Sequence, residues 1–290
     1  MSKKILILGA NGMLGGSLHR YFTNTSNTVV GTVRSDAAAK QLASMGFDNV
    51  IKNIEVTNYQ LLEEMISELR PDYMFNCIGL IKQLSKSELP VSAIEINSLL
   101  PHKLAQICNK YGAKLIHFST DCVFSGSVGG YVESSLPDAT DLYGRSKLLG
   151  EVDYGSHLTL RTSIIGHELD SKVSLVDWFL SQTDTVKGYS NAIFSGLPTC
   201  YIAEFLDKYV IESSDLSGLY HLSAEPIDKY RLLLLIKGKY GIEIDIVDYP
   251  NFIIDRSLNS KSLRELIDFK PPQWPELIEK MNDEFNRYFR

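Results

Sequence analysis

Basic charge is short in this 290-residue chain: 29 Lys and Arg stand against 35 Asp and Glu, a net charge of −6. Binding a phosphate backbone needs a basic surface, so nucleic acid is excluded as the main partner, although a local basic pocket for a small phosphorylated ligand is not. Long apolar runs are missing as well. No stretch reaches the roughly 20 residues of a membrane span, and the first apolar run ends at Gly9, too short for a signal-peptide core. The four cysteines, Cys77, Cys108, Cys122 and Cys200, form no Cys-x-x-Cys pair and sit among apolar neighbours, as free thiols in a reducing compartment do. The six histidines are scattered, none at ligand spacing from a Cys or Glu, so no protein-borne metal site is expected. These absences together predict a cytoplasmic protein with no membrane partner.

Apolar residues at 44% and charged residues at 22% are ordinary for a globular chain, and the length suits one main domain with a smaller lobe. Ile5-Leu6-Ile7-Leu8 is short, apolar and branched, the mark of a strand buried on both faces. Gly9-Ala10-Asn11-Gly12-Met13-Leu14-Gly15 follows directly, then a helical pattern through Leu18, Tyr21 and Phe22. Glycines in a strand-to-helix turn let backbone approach a pyrophosphate, and the helix N-terminus offers free N–H groups. Gly9, Asn11, Gly12, Met13, Leu14 and Gly15 are therefore candidate dinucleotide contacts. A second strand runs from about 29 to 33 into Arg34-Ser35. An acidic residue there would hold a ribose 2′-OH, whereas Arg34 suits a 2′-phosphate. NADPH is expected, with Asp36 close enough to keep NADH open.

The alternation continues with a short strand at Val50-Ile51, a helix over 59–69 ended by Pro71, a strand closing in Asn76-Cys77-Ile78, a helix over about 91–111 containing Asn97, and a strand at 114–118. Such alternation predicts an α/β fold with a doubly wound parallel sheet, Rossmann-like, whose ligands bind beyond the carboxyl ends of the strands. The dinucleotide-binding domain is expected at residues 1–166, completed by about 192–224, with 167–191 and 225–290 forming a smaller substrate-binding lobe. His117 falls inside a strand and reads as a core residue.

Of the fifteen tyrosines, only Tyr143 has a lysine four residues on, Lys147, on the same helical face. A cation beside a phenol lowers its pKa from about 10 and makes it useful in proton transfer. Ser119 and Thr120 end the preceding strand, so Thr120, Tyr143 and Lys147 are the candidate catalytic group. Asn76, Cys77, Ile78, Asn97 and Ser119, with Arg34, Tyr143 and Lys147, complete the candidate cofactor contacts.

Together these residues resemble the extended short-chain dehydrogenase/reductase superfamily and, more narrowly, the dTDP-4-dehydrorhamnose reductase family. The markers are the Gly9-x-x-Gly12-x-x-Gly15 turn, Asn76, Asn97, Ser119-Thr-Asp-Cys-Val-Phe124, Tyr143-Gly-x-x-Lys147, Arg161-Thr-Ser163, Gly196-Leu-Pro-Thr199 and Gly218-Leu-Tyr-His221. The resemblance implies reduction of the C4 ketone of a nucleotide-linked 4-keto-6-deoxy sugar, in deoxysugar and cell-surface polysaccharide synthesis. It implies that Tyr143 donates a proton, Lys147 lowers its pKa and bonds the nicotinamide ribose, and Thr120 orients the ketone. Asp121, Arg161, Ile164, Lys82 and Arg256 are the implied substrate contacts. Lys82 is either a phosphate ligand or a solvated lysine, and Arg256 either a diphosphate ligand or half of a structural salt bridge. Ile164 and Cys122 stand where relatives often carry aromatic residues, which leaves the sugar and the base open. An epimerase or dehydratase on the same scaffold, or a non-catalytic NADP-binding regulatory subunit, is the alternative. Some relatives bind magnesium at a dimer interface, and a homodimer is left open.

Overall fold

The computed structural model describes residues 2–80, 89–169, 173–212 and 216–290. Six strands, β1 (Lys4–Leu8), β2 (Thr28–Thr32), β3 (Val50–Ile51), β4 (Tyr73–Asn76), β5 (Lys114–Thr120) and β6 (Leu158–Thr162), join strand Gly218–His221 in one parallel sheet. The order across it is Gly218–His221, β6, β5, β4, β1, β2, β3. The chain runs outward from β1 to β3 and then returns to β4 on the other side of β1. The reversal opens a crevice past Leu8 and Asn76, the place where ligands enter such sheets.

Alternation along each strand feeds two cores. Ile5, Ile7, Phe75 and Ile116 pack into one apolar cluster and Leu6, Leu8, Met74 and Leu115 into the other, so every central strand is buried on both faces. Helices α1 (Met13–Thr23), α2 (Asp36–Ser44), α3 (Tyr59–Leu69), α4 (Leu89–Ala93), α5 (Leu100–Tyr111), α6 (Leu142–Leu149), α7 (Leu175–Leu180), α8 (Thr199–Leu206), α9 (Lys229–Tyr240), α10 (Lys261–Ile267) and α11 (Trp274–Tyr288) cover the sheet and build the lobe. In the lobe, strand Ala192–Phe194 lies between Ile227–Asp228 and Ile254–Asp255, and Val186–Gly188 pairs with Ile246–Asp248. The first core cluster runs without a break from Leu18 of α1 to Leu277 and Met281 of α11. Glu284 of α11 accepts from the Arg20 guanidinium at 2.9 Å and from Ser17 at 2.7 Å, which fastens the chain's last helix to its first.

The turn after β1 needs glycine at two points. Gly9 has φ +82°, and a Cβ on Gly15 would lie 2.1 Å from the Gly9 carbonyl oxygen. Backbone of strand and helix therefore meet with nothing between them.

One expected element is different. The helix foreseen over 91–111 is interrupted by a π-helical stretch, Ile94–Leu99, between α4 and α5. Pro101 lacks an N–H and its ring crowds the carbonyl four residues back, that of Asn97. That carbonyl turns toward α6, where a Cβ on Gly150 would lie 1.9 Å from it. Gly150→Ala is expected to destabilise the protein by about 1–3 kcal/mol through overpacking. Gly238→Ala, in open space inside α9, is expected to stabilise it by about 0.5–1 kcal/mol. Urea denaturation of both variants measures the difference, and equal midpoints would contradict this account of the π stretch.

Candidate active site

β5 delivers Ser119 and Thr120 to the crevice and then tightens into a single turn, Asp121–Val123. The Thr120 hydroxyl accepts from the Cys122 N–H at 3.1 Å and donates to Asp121 Oδ1 at 3.1 Å. Helix α6 begins beside this turn because Asp141 caps it, accepting from the Gly144 N–H at 3.0 Å. Gly144 allows the approach, since a Cβ there would lie 2.2 Å from the Cys122 carbonyl oxygen. Tyr143 is thereby set against Thr120, whose hydroxyl hydrogen-bonds its phenol.

The electrostatics depart from the sequence expectation. Burial pushes the Tyr143 phenol up, and Cys122, Asp121 and Asp141 push it the same way, against the Thr120 hydrogen bond. Burial is the largest cause, and the net shift of the phenol is upward. The Lys147 Nζ donates to the Phe118 carbonyl at 2.6 Å, and burial pulls the ammonium down to about 8, opposed by Glu151 and Cys77. Tyr143 is therefore protonated at neutral pH, the state a proton donor requires.

A cavity of about 500 Å³ opens over this group. It is lined by Gly12, Met13 and Leu14 from the glycine turn, by Asn76, Cys77 and Ile78 after β4, by Ser119, Thr120, Asp121 and Cys122, and by Tyr143, Lys147 and Ile164. A second hollow of about 520 Å³, past β2, is lined by Asn11, Arg34, Ser35 and Gln41. Asp36 does not line it, because its carboxylate pairs with Lys52 at 2.6 Å. A roomier hollow of about 710 Å³ lies at the amino ends of the strands, near Lys3, Asp72 and Lys114, away from every group named above.

Several expected contacts occupy other posts. Arg161 does not reach the cavity. Its guanidinium forks onto Glu151 at 2.7 and 2.8 Å, with both side chains buried, and stacks over Phe124. Glu151 also accepts from Ser119 at 2.6 Å, so the pair braces the end of β5. Asn97 is likewise a brace rather than part of the cavity wall. Its amide accepts from the Leu80 N–H at 2.8 Å and donates to the Leu80 carbonyl and the Ser146 hydroxyl, each at 3.1 Å. Asn76 bonds His117 Nδ1 at 3.2 Å and the Ile78 N–H at 3.2 Å, and burial drives the His117 pKa well below its usual range, which keeps the ring neutral. Arg256 donates to the Phe124 carbonyl at 3.0 Å and lies 3.6 Å from the Cys122 sulfur, beside Asp121. Lys82 lies outside the described residues. Glu151 was missed. Glu151 carried a signal, standing four residues beyond Lys147. Among the described residues no helix is long and apolar enough to cross a membrane.

The family model described as "RmlD substrate binding domain" matches residues 3–245, and the chain belongs to that family. It is 32% identical over 146 residues to the probable low-salt glycan biosynthesis reductase Agl14 of Haloferax volcanii, a match spanning 50% of this chain and 46% of that protein, less than half its length. It is 27% identical to methionine adenosyltransferase 2 subunit beta of Rattus norvegicus over 96% of this chain and 90% of that one. The dTDP-4-dehydrorhamnose reductase of Bacillus anthracis, solved in complex with NADP, has a similar structure with a TM-score of 0.80 at 21% identity, covering 98% of this chain and 99% of that one.

The buried Lys147 carries a stability cost with a defined pH window. Its pKa falls from 10.5 unfolded to about 8 folded, so the cost is full below about pH 8, shrinks as pH rises toward 10.5, and is gone above it. Lys147→Met is expected to be more stable than the parent chain at pH 7, by about 1–3 kcal/mol, with a smaller gain at pH 9.5. Urea denaturation at the two pH values checks the sign, and a gain that grows with pH would contradict it.

Proposed function

We propose that this chain is an oxidoreductase that uses NADPH, with NADH as the second choice, to reduce the C4 ketone of a nucleotide-linked 4-keto-6-deoxy sugar for polysaccharide synthesis. The observation that carries this reading is the convergence of Thr120, Tyr143 and Lys147 on the cavity that the glycine turn also lines. The site fits a dinucleotide. The Gly9–Gly15 contact leaves room for a pyrophosphate at the start of α1, and the hollow at Arg34 and Ser35 suits a 2′-phosphate, with Asp36 turned to Lys52. Bound there, NADPH supplies a hydride.

The chain's residues do the rest. Thr120 orients the ketone by hydrogen-bonding its oxygen. Tyr143, kept protonated by burial, donates its phenolic proton to that oxygen as negative charge develops on it. Lys147 supplies positive charge behind the phenol and a donor for the ribose. Asp121 and Ile164 face the sugar, and Arg256 serves its diphosphate. In this reading residues 1–166 with 192–224 hold the cofactor, and 167–191 with 225–290 hold the substrate.

The relationship to methionine adenosyltransferase 2 subunit beta favours one second reading, a cofactor-binding regulatory subunit. A panel of dTDP-, UDP-, GDP- and CDP-linked 4-keto-6-deoxy sugars separates the two. NADPH oxidation with at least one of them is expected, and none with any would favour the regulatory subunit. Tyr143→Phe is expected to lower kcat by about 10²-fold or more, and an unchanged kcat would sink the proposed mechanism. With the active sugar, log kcat/KM is expected to fall as pH rises through about 8, where Lys147 loses its proton. A flat profile between pH 7 and 9 would remove Lys147 from its role.

A further inference from the structure

One buried imidazole behind the cavity wall has no part in the step above. Both ring nitrogens of His167 are engaged: Nδ1 lies 2.5 Å from Asp177 Oδ1 and Nε2 lies 2.8 Å from the Tyr240 hydroxyl. Phe285 and Phe289 of α11 pack on the ring, with centroids 4.6 and 5.3 Å away. A carboxylate only accepts, so the hydrogen between His167 and Asp177 sits on Nδ1. The other Asp177 oxygen, Oδ2, accepts from the Glu168 N–H at 2.8 Å and from the Ser174 hydroxyl at 3.0 Å. The Ser174 hydroxyl accepts from the Asp177 N–H at 3.1 Å and so caps α7. Glu168, Ser174 and Leu175 line the same cavity as Thr120 and Tyr143, on the wall that continues from Ile164. One carboxylate therefore holds two points of that wall, and the imidazole holds the carboxylate.

We propose that His167 and Asp177 are positioning residues for the sugar end of the cavity, fixing Glu168 and Ser174 where the wall meets the substrate. This rests on the reading of the chain as a sugar-nucleotide reductase, and it extends the substrate side to two residues that do not themselves line the cavity. Asp177 lies on α7, Tyr240 ends α9, and Phe285 and Phe289 flank the end of α11, so the wall is referenced through one imidazole to three helices of the lobe. A buried carboxylate stripped of its imidazole turns toward other donors or water, and Glu168 and Ser174 move with it. A shift of about 1 Å there misplaces a bound sugar without disturbing the glycine turn or the hollow at Arg34.

The test is calorimetric titration of the NADP⁺-loaded protein, which has no hydride to give, with dTDP-, UDP-, GDP- and CDP-linked 4-keto-6-deoxy sugars and with the matching nucleoside diphosphates. The parent chain is expected to bind at least one ketosugar more tightly than its diphosphate. His167→Leu is expected to weaken that ketosugar about 10-fold or more, the worth of a charge-assisted hydrogen bond, while NADP⁺ and the nucleoside diphosphate stay within about threefold. His167→Asn, whose amide N–H stands where Nδ1 stood, is expected to stay within about threefold of the parent for all three ligands. Asp177→Ala is expected to match His167→Leu and decides the question if that variant loses NADP⁺ binding. An unchanged ketosugar Kd would overturn the assignment, as would a loss shared equally by ketosugar and diphosphate, a loss of NADP⁺ binding in both variants, or a parent chain that prefers no ketosugar to its diphosphate. NADPH oxidation with a ketosugar whose Kd ignores His167 ends the positioning role and leaves the reductase reading intact. A His167-dependent ketosugar Kd without NADPH oxidation ends the reductase reading and leaves the positioning role intact.

Discussion

Helix α6 lies so close to the Thr120 turn that residue 144 can carry no side chain, and the candidate site depends on that contact. A Cβ at Gly144 would lie 2.2 Å from the Cys122 carbonyl oxygen and 2.6 Å from the Ala139 side chain. The approach holds the Tyr143 phenol against the Thr120 hydroxyl, and it sends Lys147, one turn on, under the end of β5 to the Phe118 carbonyl. The glycine turn after β1 repeats the device on the other side of the crevice, where Gly15 touches Gly9 backbone to backbone. The two close approaches, one for the phenol and one for the cofactor, set the width of the cavity between them.

Charge buried around this contact is balanced in sequence. Lys147 sits in the interior with Glu151 as its chief favourable neighbour, and Glu151 is itself held by Arg161 and by Ser119. The carboxylate is fully hydrogen-bonded, as a buried charge must be, and through Ser119 it stiffens the strand end that presents Thr120. Lys147 remains under-compensated, so its pKa lies near neutrality and the protein carries a stability cost at the place where a proton donor needs positive charge nearby. On the lobe side Arg256 faces two carboxylates, Asp121 and Asp138.

Local pattern made much of this legible. The alternation of apolar strands and amphipathic helices foretold the parallel sheet, and the glycine turn, Thr120, Tyr143 and Lys147 were each visible from spacing alone. What stayed hidden depends on the third dimension. The family resemblance implied Arg161 as a substrate contact, yet Glu151, ten residues earlier, meets it only once β6 has folded beside α6. Asn97 was read as a cofactor contact; the clue to its bracing role was Pro101, which breaks the helical hydrogen bond to its carbonyl and forces the wider turn. Arg256 reaches the Phe124 carbonyl across 132 residues of chain, and no window of sequence contains that approach. The tyrosine pKa went the other way from expectation because burial outweighs a lysine whose ammonium is spent on a backbone carbonyl.

The central claim is that the cavity over Thr120 and Tyr143 brings a sugar ketone to a hydride donor and protonates the resulting oxygen. The most direct measurement follows deuterium from NADPH labelled at the transferable C4 position into the product, read by mass spectrometry and NMR. The account predicts one deuterium at C4 of the sugar per NADPH consumed, with the hydroxyl proton exchanging with solvent. A product without deuterium, or with it on another carbon, would contradict the account.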